Sequence, residues 1–339
     1  MTHQEAIWLG EILARGDAVR DARVLVACSG GGDSMALLAF LWAVRRSLGL
    51  ELVVACADHG LRPEAEAEAA LVRDLCRNAD LDLVQARLAV RGHAERQGLG
   101  LETAARELRW SWLQAQALSC GAVAVATGHT LDDHTETVLV RLARGGGAGS
   151  LTPLPPRQGL RWSPLIGARR DDLRQYLRRK GVPWLEDASN AAPFTPRNRW
   201  RQLLEPMRAE APALDRHLWE THLQVEELRA FRDQHVQAWR GRRWRPEPGP
   251  PARLRLRGPW NELELRWTLE AACRELGWPR EAGLLRDLSA WLLDHVARRP
   301  GKSKCWGGWR LESQREPLAS RGDGPAATWV LMRDCELSD

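Results

Sequence analysis

The stretch CSGGGDSMALLAFL, residues 28–41, sets three consecutive glycines and two serines between an apolar run and a long apolar segment. The preceding ARVLVAC (22–28) is short and rich in β-branched residues, whereas SMALLAFLWAVRRSL (34–48) has the spacing and length of a buried helix. The stretch therefore reads as strand, loop, helix. A glycine turn at such a junction lets backbone N–H groups converge on an anion, and the helix N-terminus adds partial positive charge. Phosphate is the guest this suits. The loop has no lysine, and the chain's GKS (301–303) has Val296 where a lysine-bearing phosphate loop needs its first glycine. GGGAGS (145–150) ends in serine and follows a helical pattern, so it is no dinucleotide fingerprint. In residues 29–34, two hydroxyls and the backbone amides suit phosphate oxygens and Asp33 suits Mg²⁺, a cradle fitted to pyrophosphate leaving as a unit.

Working outward, the pattern predicts strands over 52–57, 81–88 and 122–127, helices starting near Pro63 and Asp132, and a helix over 101–118. Alternation of this kind implies a parallel sheet, with ligands at the carboxyl ends of its strands near a switch point. The polar clusters at 29–33, 58–62 and 128–133 all follow strands, so they are expected to share one edge. In the last of them His129, Asp132, Asp133 and Glu136 surround the first turn of a helix. Carboxylates there have an ordinary use against the helix dipole; the functional reading has Asp133 join Asp33 on Mg²⁺ while His129 faces the α-phosphate. His129 and His134 lack zinc-ligand spacing.

The 339 residues allow two domains, drawn here as 1–212 and 213–339. Neither a span of about 18 apolar residues nor a basic-then-apolar leader is visible, so a cytoplasmic protein that does not enter membranes is expected. Seven cysteines with no CxxC read as buried reduced thiols. The net charge of +5 is unevenly spread: residues 157–208 hold twelve Lys or Arg against five Asp or Glu, and residues 240–257 seven against one. Beside a nucleotide loop, these patches favour a polyanionic partner such as RNA. The seventeen tryptophans mostly suit core packing.

SGGGDS (29–34) resembles the SGGxDS loop of the N-type ATP pyrophosphatases, which split ATP between its α and β phosphates. With DHGLR (58–62), ARELRW (105–110), GHTLDDHTET (128–137), RGGGAGSL (144–151), VPWLEDASN (182–190) and RNRWR (197–201), the chain resembles the tRNA(Ile)-lysidine synthetase family over roughly residues 20–210. The resemblance implies an α/β fold, with a Rossmann-like parallel-sheet PP-loop domain followed by a smaller, mainly helical tRNA-binding domain, and no extra terminal domain. It implies ATP and Mg²⁺ as cofactors, and free lysine and the isoleucine tRNA with anticodon CAU as substrates. ATP would adenylate the C2 carbonyl oxygen of the wobble cytidine, and the lysine ε-amine would then displace AMP. By resemblance, the catalytic residues are Asp33, Arg109, His129 and Asp133, the metal ligands Asp33 and Asp133. The nucleotide contacts are Ser29, Gly30, Gly31, Gly32, Asp33, Ser34, Ala57, Asp58 and Gly128. The substrate contacts are Asp58, His59, Arg62, Asp132, Glu136, Gly145, Gly147, Arg197, Asn198 and Arg199. Arg109 and the RNRWR arginines also have an ordinary reading, as solvated helix residues. Two positions depart from the family: Ser163 stands where arginine is usual, and Trp200 where an aliphatic residue is. A tRNA thiolase, an amidotransferase-type synthetase and a non-catalytic RNA-binding protein are the competing readings, and a homodimer is one oligomeric option.

Overall fold

The apolar run at 22–28 does form the first strand of a sheet. The computed structural model describes residues 1–60, 65–145, 147–186, 196–249, 251–257, 260–296, 304–306, 308–314 and 328–333. The chain packs as two units, 1–225 and 226–339. The division falls inside one long helix rather than at the expected 212.

In the first unit, α1 (His3–Arg15) leads into β1 (Ala22–Ala27), α2 (Gly32–Leu48), β2 (Leu50–Asp58), α3 (Ala65–Ala79) and β3 (Asp82–Arg87). Then come α4 (Val90–Gln97), α5 (Leu101–Cys120), β4 (Ala124–Ala126) and α6 (Leu131–Ala143). After a 3₁₀ turn (Gly147–Leu151) follow β5 (Arg157–Gln158), β6 (Arg161–Trp162), α7 (Arg170–Lys180), α8 (Pro196–Glu210) and α9 (Leu214–Trp239). Helices α1 and α4 were not foreseen, and Pro63 lies outside the described residues.

The strand order is β3-β2-β1-β4-β6-β5, parallel throughout except for β5. Side-chain alternation sends the two faces of each strand to different helices. Val24 and Val26 pack with Trp8, Phe40, Leu41 and Leu173 from α1, α2 and α7, whereas Leu25 and Val125 pack with Leu113 and Ala117 of α5. Because β2 and β3 extend the sheet on one side of β1 and β4 extends it on the other, the switch point lies between β1 and β4. Both the loop at 28–31 and the segment at 127–130 leave from that point.

In the second unit, β7 (Trp244–Glu247), β8 (Arg253–Arg257), β9 (Lys304–Trp306), β10 (Trp309–Gln314) and β11 (Thr328–Arg333) form an antiparallel sheet ordered β7-β8-β11-β10-β9. With α10 (Glu262–Leu276) and α11 (Ala282–Val296) it encloses a core that includes Trp244, Leu256, Leu269, Leu288 and Trp309. The helices expected here are present; the five-stranded sheet was not anticipated. All six described cysteines are free, and four are buried. Among the described residues, no helix is long and apolar enough to cross a membrane.

Helix α1 is held to the unit by a buried carboxylate. Glu5 closes a capping box with Thr2, accepts a hydrogen bond from the Tyr176 hydroxyl at 2.7 Å and pairs with Lys180 at 2.7 Å. Burial alone would raise its pKa, but these partners, Lys180 foremost, outweigh it and bring the group to about 2. Because the folded-state pKa is depressed, the stabilisation is fully present above about pH 4.5 and is lost as pH falls toward 2. Glu5→Gln should therefore destabilise the fold by about 2–3 kcal/mol near neutral pH, and urea unfolding should show that gap closing below pH 4.5.

Candidate active site

The glycines of the loop are required by close approach. Gly30 has φ +85°, and a Cβ there would lie 3.0 Å from the Cβ and carbonyl oxygen of Glu68 on α3. A Cβ on Gly32 would meet the Trp184 indole at 3.2 Å, and one on Gly128 would sit 3.1 Å from the backbone of Asp33 and Ser34. The backbone after β4 is thus pressed against the start of α2. Ser34 Oγ accepts from the Ser29 amide at 3.1 Å and donates to the Gly31 carbonyl at 2.9 Å, with Ser29 Oγ at 3.2 Å. Helix α2 starts at Gly31 with no side-chain cap, which leaves its first amides suited to an anion. Alongside runs the segment 182–186, where the Leu185 amide donates to the Gly30 carbonyl at 3.1 Å.

The carboxylates are placed just as locally. Thr130 and Asp133 form a capping box on α6, so Asp133 Oδ2 accepts from the Thr130 amide at 2.9 Å and is fixed at the helix entrance. Its other oxygen accepts from Arg170 at 2.8 Å. The same guanidinium reaches Asp33 at 3.1 Å and Glu136 at 3.4 Å. Arg174, one turn further along α7, also reaches Asp33 at 3.4 Å. The backbone amide of Arg170 donates to Asp132 Oδ2 at 2.8 Å, so α6 supplies the cap that α7 lacks in its own sequence. Arg208 joins Asp132 at 3.0 Å to Asp215 at 2.9 Å, and Arg201 reaches Glu136 at 2.6 Å.

Burial raises the Asp33 pKa, with Arg170 opposing and the nearby Asp133 charge adding to the rise. For Arg170 burial favours the neutral form, but Asp133, Asp33, Asp132 and Glu136 outweigh it and hold the guanidinium charged. A magnesium ion beside bound phosphates usually needs only one or two carboxylates. Asp33 fits that role, being partly exposed at the mouth of the cradle. Both carboxylates are held, Asp33 by Arg170 and Arg174 and Asp133 by Arg170 and the Thr130 amide, and Asp133 is the more buried of the two. Among the described residues, no three His, Cys, Asp or Glu side chains group as a metal site.

His129 follows β4. Its Nδ1 lies 2.9 Å from Thr127 Oγ1 and 3.1 Å from Ser163 Oγ. His134 instead points into the unit, with Nε2 3.1 Å from His222 Nδ1 and Trp219 stacked on His222. Burial, reinforced by His222, lowers the His134 pKa to about 3, so it packs as a neutral ring.

The structure brings Ser29, Gly30, Gly31, Gly32, Asp33, Ser34 and Gly128 together, and Asp33, Asp132, Asp133 and Glu136 are joined through arginines. Ala57 and Asp58 end β2 and His59 follows it; Asp58 Oδ1 accepts from the Gly60 amide at 2.7 Å and its Oδ2 pairs with Arg87 at 3.5 Å. Arg109 is exposed on α5. Gly145 follows α6, Gly147 opens the 3₁₀ turn and Arg199 is exposed in the first turn of α8. The backbone of Arg197 and Asn198 belongs to that turn, while Arg62 and residues 187–195 lie outside the described residues. Sequence reasoning missed Arg170, Arg174 and Arg208; the ARRDDLR stretch showed only as a basic helix.

The chain is similar over 202 residues to the tRNA(Ile)-lysidine synthase of Thermus thermophilus, at 40% identity, covering 59% of this chain and 38% of that protein. The enzyme of the same name from Nitratidesulfovibrio vulgaris is 41% identical over 60% of this chain and 61% of its own length. That from Deinococcus radiodurans is 38% identical over 79% and 43%. The chain thus spans between 38% and 61% of the length of these relatives. Among solved structures, the U34-tRNA thiolase NcsA from Methanococcus maripaludis, with its [4Fe-4S] cluster, shares the fold at a TM-score of 0.56 and 14% identity, covering 66% of this chain and 79% of that one. The model of the PP-loop domain matches residues 1–208, from α1 to the last turn of α8. That match takes in the phosphate cradle and every carboxylate joined through Arg170, and it establishes the protein as a member of the PP-loop family, carrying that family's ATP-binding domain.

Proposed function

We propose that the protein is a tRNA(Ile)-lysidine synthase, joining lysine to C2 of the wobble cytidine of a CAU-anticodon isoleucine tRNA through an adenylated intermediate. The observation that supports this reading is the close approach of Gly128, next to His129 in the chain, to the backbone of Asp33 and Ser34 at the start of α2. The relatives' shared name supplies the substrate class.

In this reading the amides of residues 30–34 and the hydroxyls of Ser29 and Ser34 hold the triphosphate, with helix α2 adding its dipole. Asp33 is the residue to hold Mg²⁺, whose charge, when bound, offsets that of the departing pyrophosphate. His129 faces the α-phosphate, and Arg109 serves as a further cation on the transition state. Asp132 and Glu136 are the carboxylates of this reading that orient the lysine ammonium, a role that requires them to exchange arginine partners. The second unit, residues 226–339, is the tRNA-binding domain of this proposal. Its arginine-rich segment, 240–257, meets phosphates, and the unpaired anticodon bases are read at their Watson–Crick edges.

The test is turnover with ATP and unmodified CAU-anticodon isoleucine tRNA, with and without free lysine, followed by mass analysis of the wobble nucleoside. A lysine-dependent gain at that cytidine is expected. Pyrophosphate release without lysine incorporation would discard the lysine acceptor and keep the adenylating half-reaction. Asp33→Ala should lower pyrophosphate release by at least about 100-fold while tRNA binding in a filter assay stays measurable; undiminished release would remove Asp33 from the site.

Arg170→Ala should strand the carboxylates it joins, costing about 3 kcal/mol and lowering the thermal midpoint by roughly 5–10 °C. Added Mg²⁺ should recover more of the midpoint in this variant than in the parent, because a cation then has both Asp33 and Asp133 to bind. Equal Mg²⁺ shifts in the two proteins would show that the guanidinium does not hold a cation position.

A further inference from the structure

Ser163 is buried at 2% exposure and directly follows β6, the strand beside β4. Its backbone is tied at both ends: the amide donates to the Pro156 carbonyl at 2.8 Å and the carbonyl accepts from the Ile166 amide at 3.2 Å. The hydroxyl therefore has little freedom of position. It lies 2.9 Å from Thr127 Oγ1 and 3.1 Å from His129 Nδ1. Thr127 Oγ1 is in turn 2.9 Å from the same Nδ1 and 3.5 Å from the Trp162 carbonyl. Trp162 is itself fully buried and its carbonyl also accepts the Thr127 amide at 2.8 Å, so the acceptor at the end of this set is part of the sheet.

We propose that Ser163, together with Thr127, is a positioning residue that sets the tautomer of His129, so that Nδ1–H is engaged by the two hydroxyls and Nε2 is the nitrogen presented to the nucleotide. The inference rests on the proposed role of His129 in phosphate chemistry. Hydrogen counting supports it. Four polar contacts link Nδ1, the two hydroxyls and the Trp162 carbonyl, and the hydroxyls supply only two protons. A third on Nδ1 completes a directed path: Nδ1–H donates to Ser163, Ser163 to Thr127 and Thr127 to the Trp162 carbonyl. The path keeps the same direction when the ring becomes doubly protonated, because Nδ1 is a donor in both states. A proton gained or lost at Nε2 then leaves these contacts of Nδ1 in place.

The experiment is long-range ¹H–¹⁵N NMR on the full chain labelled with ¹⁵N-histidine, with His129 assigned by its disappearance in His129→Gln. In the parent protein at high pH, His129 should show a protonated Nδ1 and a bare Nε2. Ser163→Ala should move the ring toward the Nε2–H form and lower kcat for pyrophosphate release about tenfold with KM for ATP unchanged, and Ser163→Thr should restore both. A parent ring already in the Nε2–H form, or a Ser163→Ala spectrum identical to the parent's, would overturn the proposal. Should Ser163→Ala fail to fold, Thr127→Val reads the same ring, and an unchanged tautomer there is equally contrary. The spectra need no substrate, so a protein that made no lysidine would overturn the proposed function while an Nδ1–H ring would still support this assignment.

Discussion

The Arg170 guanidinium is the joint on which the catalytic unit turns. It connects three pieces of chain that are remote in sequence: Asp33 in the first turn of α2, Asp133 and Glu136 on α6, and its own helix α7. Breaking a buried pair on one side leaves an uncompensated charge, typically at a cost of about 3–5 kcal/mol, so each member holds the others in register. The other end of α7 is tied just as firmly, through Tyr176 and Lys180 on Glu5 of α1. Helix α7 acts as a strut fixed at both ends, and the phosphate loop rests against its first turn.

This joint changes the meaning of the basic composition. The excess of arginine over acid at 157–208 suggested an outward face for RNA. Arg170, Arg174, Arg201 and Arg208 turn toward carboxylates of the unit itself. Arg157, Arg178, Arg179 and Arg199 remain exposed. Part of the patch is therefore internal counter-charge, and only the remainder is available to a polyanion.

The sheet was legible because β-branched runs and helical spacing alternate along 22–143, and the cradle because a glycine-serine loop falls at a strand-helix junction. Helix α1 carried a readable signal in Thr2 and Glu5, the ends of a capping box, but its contribution depends on Tyr176, which only the fold brings near. β8 likewise alternates, with Leu254 and Leu256 inward between arginines, although arginine masks its apolar pattern. Arg170 could not be read from its neighbours, since its partner Asp33 lies 137 positions away. For Ser163 the departure from the family pattern was visible, whereas its hydrogen bond to the histidine follows from two adjacent strand ends that sequence does not join.

Among the described residues, the sheet of the first unit ends at β3 on one side and β5 on the other, and both margins are built to stop growth. At one, β3 puts Asp82 and Arg87 outward. At the other, the chain reverses into β5, a strand of only two residues, Arg157 and Gln158, both exposed. A passing strand in search of backbone partners finds a charged border on the first side and too short a ladder on the second. This parallel sheet, slow to assemble because its contacts are distant in sequence, thereby keeps its unpaired amides from recruiting a neighbouring copy while the chain folds.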